Sequence, residues 1–127
     1  MGYHDASRHL ISNCVTLSPS INITNGSSTS IGRIKGSAGP WMGIRSTGLQ
    51  DNYALSTMTV MGQIISSGTL TNNHGANVET ITVKTTTFWS DTIKWDSDVW
   101  SFVNGKLPIL NNIRGDQLSN NPPEHLK

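Results

Sequence analysis

Four tryptophans in a chain of 127 residues are the side chains best suited to bind a ligand through an aromatic face. Indole rings stack on sugar rings, although most Trp side chains bury their large apolar area in a core. Trp41 lies in the Gly-rich stretch GSAGPWMGIRSTG, outside any strand pattern, and loops of this kind carry binding residues more often than scaffold strands do. Trp41, and with it Trp89, are therefore the candidate ligand-binding residues for a carbohydrate.

The acidic and histidine side chains do not form a pattern typical of catalysis or metal binding. Asp91, Asp96 and Asp98 are close in sequence, but the glycine and the final Glu of an EF-hand loop are missing. Asp96 is instead expected to cap a turn with its side chain. The eight acidic residues are scattered and suggest no carboxylate pair, and the four histidines are too dispersed for metal ligands. We predict no catalytic residues, no metal site and no cofactor.

The tripeptide Arg114-Gly115-Asp116 is the motif that many integrin ligands use. It lies in a polar segment near the C-terminus, where an exposed loop is expected. A match of three residues also arises by chance in a chain of this length. Arg114, Gly115 and Asp116 are a candidate adhesion motif.

Composition limits the kind of protein that positions these residues. Charged residues make up 13% of the chain, about half the usual share, and the net charge of +1 supplies no field that would attract nucleic acid. No run approaches the roughly 18 apolar residues of a membrane helix, and no signal peptide is visible. The single Cys14 has no partner for a disulfide within the chain and is expected to be buried as a small hydrophobe.

Short apolar runs with period-two character alternate with clusters of Gly, Asn and Ser, which is typical of an all-β sandwich, barrel or solenoid. The predicted strand runs are 13–23, 30–36, 52–62, 63–68, 78–88 and 99–103. Helical periodicity is almost absent. The residues 112–127 are polar, contain paired prolines and are expected to form a loose tail.

Two of these runs, NCVTLSPSI and NYALSTMTV, resemble one another and open with Asn13 and Asn52, which are 39 positions apart. Successive coils of a solenoid would show such similarity, because each coil presents the same faces to its neighbours. This alignment predicts two stacked pairs: Cys14 above Tyr53 and Val15 above Ala54.

The stretch VWSFVNGKLPIL predicts an antiparallel hairpin at about 99–110. Asn-Gly between two apolar runs favours a two-residue type I′ turn, because both turn positions need positive φ. Pro108 cannot donate a ladder hydrogen bond, so the second strand should be an edge or should end there. A hairpin of this kind would cap a repeat array. The predicted cap residues are Trp95, Trp100, Phe102, Asn104, Gly105 and Pro108.

The ending IKWDSDVWSFVNGKLPIL, with NCVTLSPSI, IGRIKGS and DNYALSTMTVMGQIISSGTL before it, resembles bacterial cell-surface β-solenoid proteins with GLUG-type repeats, which are adhesin-like and filamentous-haemagglutinin-like. The resemblance covers about residues 10–111, with IGRIKG as a loose counterpart of the GLUG motif. It implies a right-handed parallel β-helix, an extracellular setting and a place at the C-terminal end of a longer protein. The expected domains are a capped solenoid over 1–111 and the polar tail 112–127.

Three functions stay open. The first is a non-enzymatic structural or adhesion module, formed by the terminal coils and cap of a surface solenoid. The second is a carbohydrate-binding module that uses Trp41 and Trp89. The third is a polysaccharide-active β-helix enzyme; Arg33 or Lys35 could be invoked as its base, but no acid–base pair can be named. The expected partners are a host or bacterial-surface glycan or protein, without nucleic acid or membrane insertion. A homodimer through an exposed coil end or a sheet edge is also expected.

Overall fold

The computed structural model of the chain describes residues 10–25, 31–36, 48–115, 117 and 122–127. Within these ranges short strands predominate and helix is almost absent, which confirms the all-β class. The strands are β1 (Leu10–Ser12), β2 (Val15–Thr16), β3 (Ser20–Ile21), β4 (Gly48–Gln50), β5 (Tyr53–Leu55), β6 (Thr59–Val60), β7 (Gln63–Ile64), β8 (Ala76–Val78), β9 (Trp100–Ser101) and β10 (Ile109–Leu110). Three short helical turns occupy Thr82–Lys84, Phe88–Thr92 and Glu124–Leu126.

Strands from three passes of the chain pair in parallel; the first pass contains β1–β3, the second β4–β7 and the third β8. Strand β1 pairs with β4, β2 with β5, β3 with β6, and β5 with β8. Two antiparallel pairs complete the sheets, β6 with β7 and β9 with β10. The sheets have two or three strands each, so the described residues form small mixed sheets rather than a closed parallel β-helix.

The register of the first two passes differs by one position from the predicted alignment. Val15 pairs with Tyr53, so the prediction that Cys14 lies above Tyr53 and Val15 above Ala54 is wrong. The corner between β1 and β2 turns at Asn13 and the next corner turns at Asp51, with φ of 56° and 52°. Because Asn and Asp adopt this left-handed conformation at low cost, these two residues are the structural equivalents.

Asn52, which the alignment had matched to Asn13, has a different role. Its side chain is fully buried, where Oδ1 accepts a hydrogen bond from the Cys14 backbone N–H at 3.1 Å and Nδ2 donates to the Ile11 carbonyl at 2.9 Å. The amide thus links the second pass to the first-pass corner. Cys14 itself is exposed, contrary to the prediction, because its side chain at this corner projects away from the core.

A two-residue type I′ hairpin does occur, but between β6 and β7 rather than at Asn104-Gly105. Val60 pairs with Gln63, and the two residues between them, Met61 and Gly62, both have positive φ, 51° and 78°. These values are typical of the type I′ turn, whose twist matches that of the paired strands. In the sheet of order β3–β6–β7, the antiparallel β7 therefore lies beside β6 where a further parallel strand would otherwise pair.

The C-terminal hairpin is antiparallel, as predicted, but its turn is wider. Ser101 pairs with Ile109 and Trp100 with Leu110, which leaves 102–108 as the connection. Within it, Lys106 N–H donates to the Val103 carbonyl, and positive φ occurs at Gly105 but not at Asn104. This fits a type II turn instead of type I′.

The wider turn is explained by its contacts with the preceding helical segment. Asn104 Oδ1 accepts a hydrogen bond from the Thr86 N–H at 3.0 Å, and Gly105 N–H donates to the Lys84 carbonyl at 2.8 Å. The Asn-Gly pair is thus used to attach the loop to its neighbour. Strand β10 begins directly after Pro108 and does not end there, and as a member of a two-stranded sheet it is an edge strand, which was the other expected outcome.

Two predicted strand runs are wrong. The residues 31–36 contain no strand, and 78–88 holds only the last residue of β8 before the chain turns into short helical segments. Val83, Phe88 and Ile93 from this region are buried in the core. Tertiary burial overrides the β-propensity of the Thr-rich run.

The core collects residues from the strands, the helical turns and both C-terminal segments. Its members are Ala54, Leu55, Met58, Val78, Val83, Phe88, Trp89, Ile93, Leu107 and Leu126. The tail was expected to be loose, yet Leu126 near its end is 3% exposed and the His125 ring Nε2 lies 2.9 Å from the Leu17 carbonyl. The residues 122–127 therefore pack against the body of the protein.

The β6–β7 turn supplies a test of this hairpin. Met61→Asn is expected to raise the free energy of unfolding by about 0.5–1 kcal/mol, because Asn adopts positive φ more readily than Met and Asn-Gly is the preferred type I′ pair. Urea unfolding measures the change. Met61→Gln, which lacks the left-handed preference, is the control and should not stabilise. Equal stability of the two variants would contradict the assigned turn.

Candidate functional site

A buried arginine occupies the centre of the stacked strands. Arg33 is 3% exposed, and its guanidinium donates to four acceptors of the second and third passes. These are the carbonyls of His74 at 2.9 Å, Leu55 at 3.1 Å and Gly75 at 3.0 Å, and Asn77 Oδ1 at 2.6 Å. No carboxylate pairs with it among the described residues. Burial lowers the pKa of Arg33, but a guanidinium stays protonated in proteins.

Glycines surround this arginine because no larger residue fits. A Cβ on Gly68 would overlap the Gly75 carbonyl oxygen and Arg33 Nη2, and one on Gly32 would overlap the Asn73 carbonyl oxygen. The Arg33 carbonyl also accepts from Thr16 Oγ1 of β2 at 3.0 Å. The arginine therefore contacts all three passes. All three guanidinium nitrogens donate to protein oxygens, namely three backbone carbonyls and one side-chain amide oxygen. Arg33 therefore has a structural role in the fold, and this environment does not suit the base of a lyase.

His74 is the titratable group beside this arginine. Its Nδ1 is buried without a hydrogen-bond partner among the described residues, while its backbone N–H is bound by Asn72 Oδ1 at 2.9 Å. Burial and, second, the positive charge of Arg33 lower the pKa of His74 below its ordinary value of 6.5. The neutral imidazole is consequently the form that the fold favours.

Five aromatic rings form a continuous row from β5 to the C-terminal hairpin. Their members in order are Tyr53, Phe88, Trp89, Trp95 and Trp100, with neighbouring ring centroids 5.4, 5.0, 4.7 and 4.3 Å apart. The first two pairs meet edge to face and the last pair is stacked, which are the favoured arrangements of aromatic pairs. The row joins the hairpin to the core.

Trp89, one of the two candidate ligand-binding residues, is 2% exposed. Its Nε1 donates to the Val83 carbonyl at 2.7 Å, and its faces contact Phe88 and Trp95. An indole in this position presents no face to a sugar, so this assignment is corrected to a core role. Trp41, the other candidate, lies outside the described residues. Trp95 is half-buried and donates from Nε1 to the Asn13 carbonyl at 3.0 Å.

A polar groove lies where the two stacked corners meet the end of the helical turn Phe88–Thr92. Its volume is about 350 Å³. We call it the corner groove. It is lined by Leu10, Ser12, Asn13, Gln50, Asp51, Thr92 and Lys94. Gln50 Nε2 donates to Asp51 Oδ2 at 3.1 Å. The groove combines one carboxylate and one ammonium group with amides and hydroxyls.

The remaining candidate residues do not converge. Asp96 Oδ1 accepts from the Asp98 N–H at 2.8 Å, which confirms the predicted turn cap, and Asp91 bonds the neighbouring Ser90 hydroxyl. Within the described ranges no three His, Cys, Asp or Glu side chains come together as metal ligands would. Arg114 and Gly115 are exposed, and Asp116 lies outside the described residues.

Comparison with protein families, curated proteins and solved structures finds no match to this chain. In the described part of the chain, no helix has the length and apolarity that crossing a membrane requires.

Sequence reasoning missed the corner groove and the structural role of Asn52. A local signal existed for the corners, since Asn13 and Asp51 are residue types that adopt positive φ. No local signal marks Lys94, whose φ is 60°. Its place in the groove depends on long-range packing of the helical turn against the corners.

His74 makes stability depend on pH. Since its pKa is lowered in the folded state, the unfolded chain binds more protons, and stability falls as pH drops below about 6.5 towards the lower folded value. The contribution is fully present above that range. We expect the thermal midpoint to fall between about pH 7.5 and about pH 5. In His74→Gln the fall should be smaller; an identical fall would show that His74 is not responsible.

Proposed function

We propose that this chain is a non-enzymatic structural or adhesion module, formed by the terminal coils and cap of a right-handed parallel β-solenoid on a bacterial surface. The observation that carries the proposal is the parallel pairing of corresponding strands from successive passes. Paired residues are 38 positions apart in β1–β4 and β2–β5 and 39 apart in β3–β6. Stacking of this kind, repeated pass upon pass, is how a solenoid is built.

The interior polar groups support the same proposal. Asn52 joins the first corner to the second pass, and Arg33 joins all three passes through backbone carbonyls. Such contacts satisfy buried backbone groups and fix the position of one pass over the next, a structural role that needs no reacting substrate. The proposal accordingly assigns no catalytic residue.

The two antiparallel hairpins support the proposed position of this chain at the end of a solenoid. A parallel stack continues as long as the last pass exposes strands that a further pass can pair with. Here β7 folds back on β6, and the β9–β10 hairpin attaches through Asn104 and Gly105 to the helical segment. Both hairpins would stop the parallel pairing, which is the task of a capping unit.

The extracellular setting and the adhesion role rest on the resemblance to GLUG-type surface proteins and on the weakly charged composition. The exposed Arg114 and Gly115 are placed where a partner can reach them. We extend the proposal to a homodimer, formed through an exposed coil end or sheet edge, and to a glycan or protein partner on the host or bacterial surface.

Opening the β6 edge tests the capping role. Gln63→Pro removes the N–H of the residue that pairs with Val60 and should detach β7, so that the β6 edge becomes free to pair with another chain. Light scattering over a range of concentrations should show larger species than the wild-type chain forms.

Gln63→Ala is the matched control, because it removes the same side chain but keeps the backbone N–H. It should scatter like the wild-type chain. A Gln63→Pro variant that stays folded, by its circular dichroism, and shows the wild-type size at every concentration would refute the capping role of β7.

A further inference from the structure

The corner groove is lined by residues held in an uncommon backbone conformation. Five non-glycine residues of the described ranges have positive φ, and three of them, Asn13, Asp51 and Lys94, line this one groove. Such residues cluster at binding sites more often than elsewhere in proteins. Asn and Asp suit the two corners, so their conformation alone has a structural explanation.

Lys94 has no such explanation. Lys94 lies just after the helical turn Phe88–Thr92. The N–H of the next residue, Trp95, donates a hydrogen bond to the Trp89 carbonyl and so closes the end of this turn. A position of this kind after a helix is usually occupied by Gly or Asn, because a longer side chain is strained at positive φ. The fold needs only the backbone turn there, whereas the lysine adds an ammonium group to the groove.

The two opposite charges of the groove do not neutralise each other directly. Asp51 and Lys94 line the same space, yet they are not joined as an ion pair; the ion pair among the described residues is Lys127 with Glu124. A ligand between them would meet a strong acceptor on one side and a strong donor on the other. The groove as a whole is close to neutral and favours neither an anion nor a cation.

The other lining groups narrow the chemistry of a ligand. Four of the six polar side chains are uncharged: the hydroxyls of Ser12 and Thr92 and the amides of Asn13 and Gln50. Each offers both donor and acceptor capacity, as hydroxyl groups of a ligand require. Leu10, which is 57% exposed, adds an apolar contact at the same place. The volume of about 350 Å³ is at the small end of ligand pockets.

We propose that the corner groove binds a neutral saccharide unit. Asp51 accepts and Lys94 donates hydrogen bonds to its hydroxyls, the amides and hydroxyls of the groove bond the remainder, and Leu10 contacts the apolar face of the ring. The mainly uncharged lining favours a sugar over a zwitterion such as a free amino acid. The proposal uses no residue of the Trp41 loop. It rests on the glycan partner included in the function proposed above and deepens it by naming the site and the class of sugar.

Titration of the full chain by NMR tests the proposal. The probes are glucose, galactose, mannose, N-acetylglucosamine, cellobiose and lactose, with alanine as the zwitterionic probe. At least one sugar should shift the amide signals of Ser12, Asp51 and Lys94 saturably, with a dissociation constant in the millimolar range. Alanine should leave these signals in place.

Two variants separate binding from folding. Lys94→Gly removes the ammonium group and relieves the positive φ, so it should weaken sugar binding by about tenfold or more while raising the thermal midpoint. Asp51→Asn keeps a residue suited to the corner and should weaken binding to a similar degree. Lys106→Gln, which removes an exposed charge of the hairpin loop, should leave the affinity unchanged.

Three results would overturn the proposal. The first is the absence of any shift at the groove amides with all six sugars, and the second is a response to alanine alone. The third is an unchanged affinity in Lys94→Gly, which would show that the ammonium group takes no part.

Discussion

The buried guanidinium of Arg33 is the interaction on which the stacked passes depend. It belongs to the first pass, yet its donors are used by Leu55 of the second pass and by His74 and Gly75 of the third. A buried charge without a carboxylate partner is tolerated when its donors are hydrogen-bonded, and here four hydrogen bonds engage all three guanidinium nitrogens. Arg33 Nη2 also lies, with the Gly75 carbonyl, where a Cβ on Gly68 would have to fit. After burial, the positive charge of Arg33 is the second cause that lowers the pKa of His74. The Arg33 hydrogen bond to Asn77 Oδ1 holds β8.

The parts of the fold that could be predicted are those encoded by neighbouring residues. Alternating apolar runs indicated the all-β class, and the two apolar runs around Asn104-Gly105 indicated the antiparallel C-terminal hairpin. The exact register of the paired strands could not be predicted in this way, because it depends on which side chains are buried in the folded protein. Asn52 shows this: it resembles Asn13 in sequence, but its side chain is buried and Asp51 takes the corner.

The residues of the candidate site could not be predicted from their types or their spacing in the sequence. The chemistry of tryptophan suggested ligand binding, but Trp89 is buried in the core and Trp95 donates a hydrogen bond to the Asn13 carbonyl at the first corner. Lys94 and Asp51 carry no motif, and they meet only because the helical turn packs beside the stacked corners. Side chains brought together by long-range packing leave no pattern of spacing for sequence reasoning to detect.

Backbone amide hydrogen exchange measured by NMR in the wild-type chain and in Arg33→Lys tests the central role of this arginine most directly. In the wild-type chain, the N–H groups of Ser56 and Ala76, which bond across the second and third passes, should exchange slowly. In Arg33→Lys both should exchange about a hundredfold faster, since a lysine cannot bond all four acceptors, while the Asn111 N–H in the hairpin should keep its rate. Unchanged exchange at Ser56 and Ala76 would contradict the account.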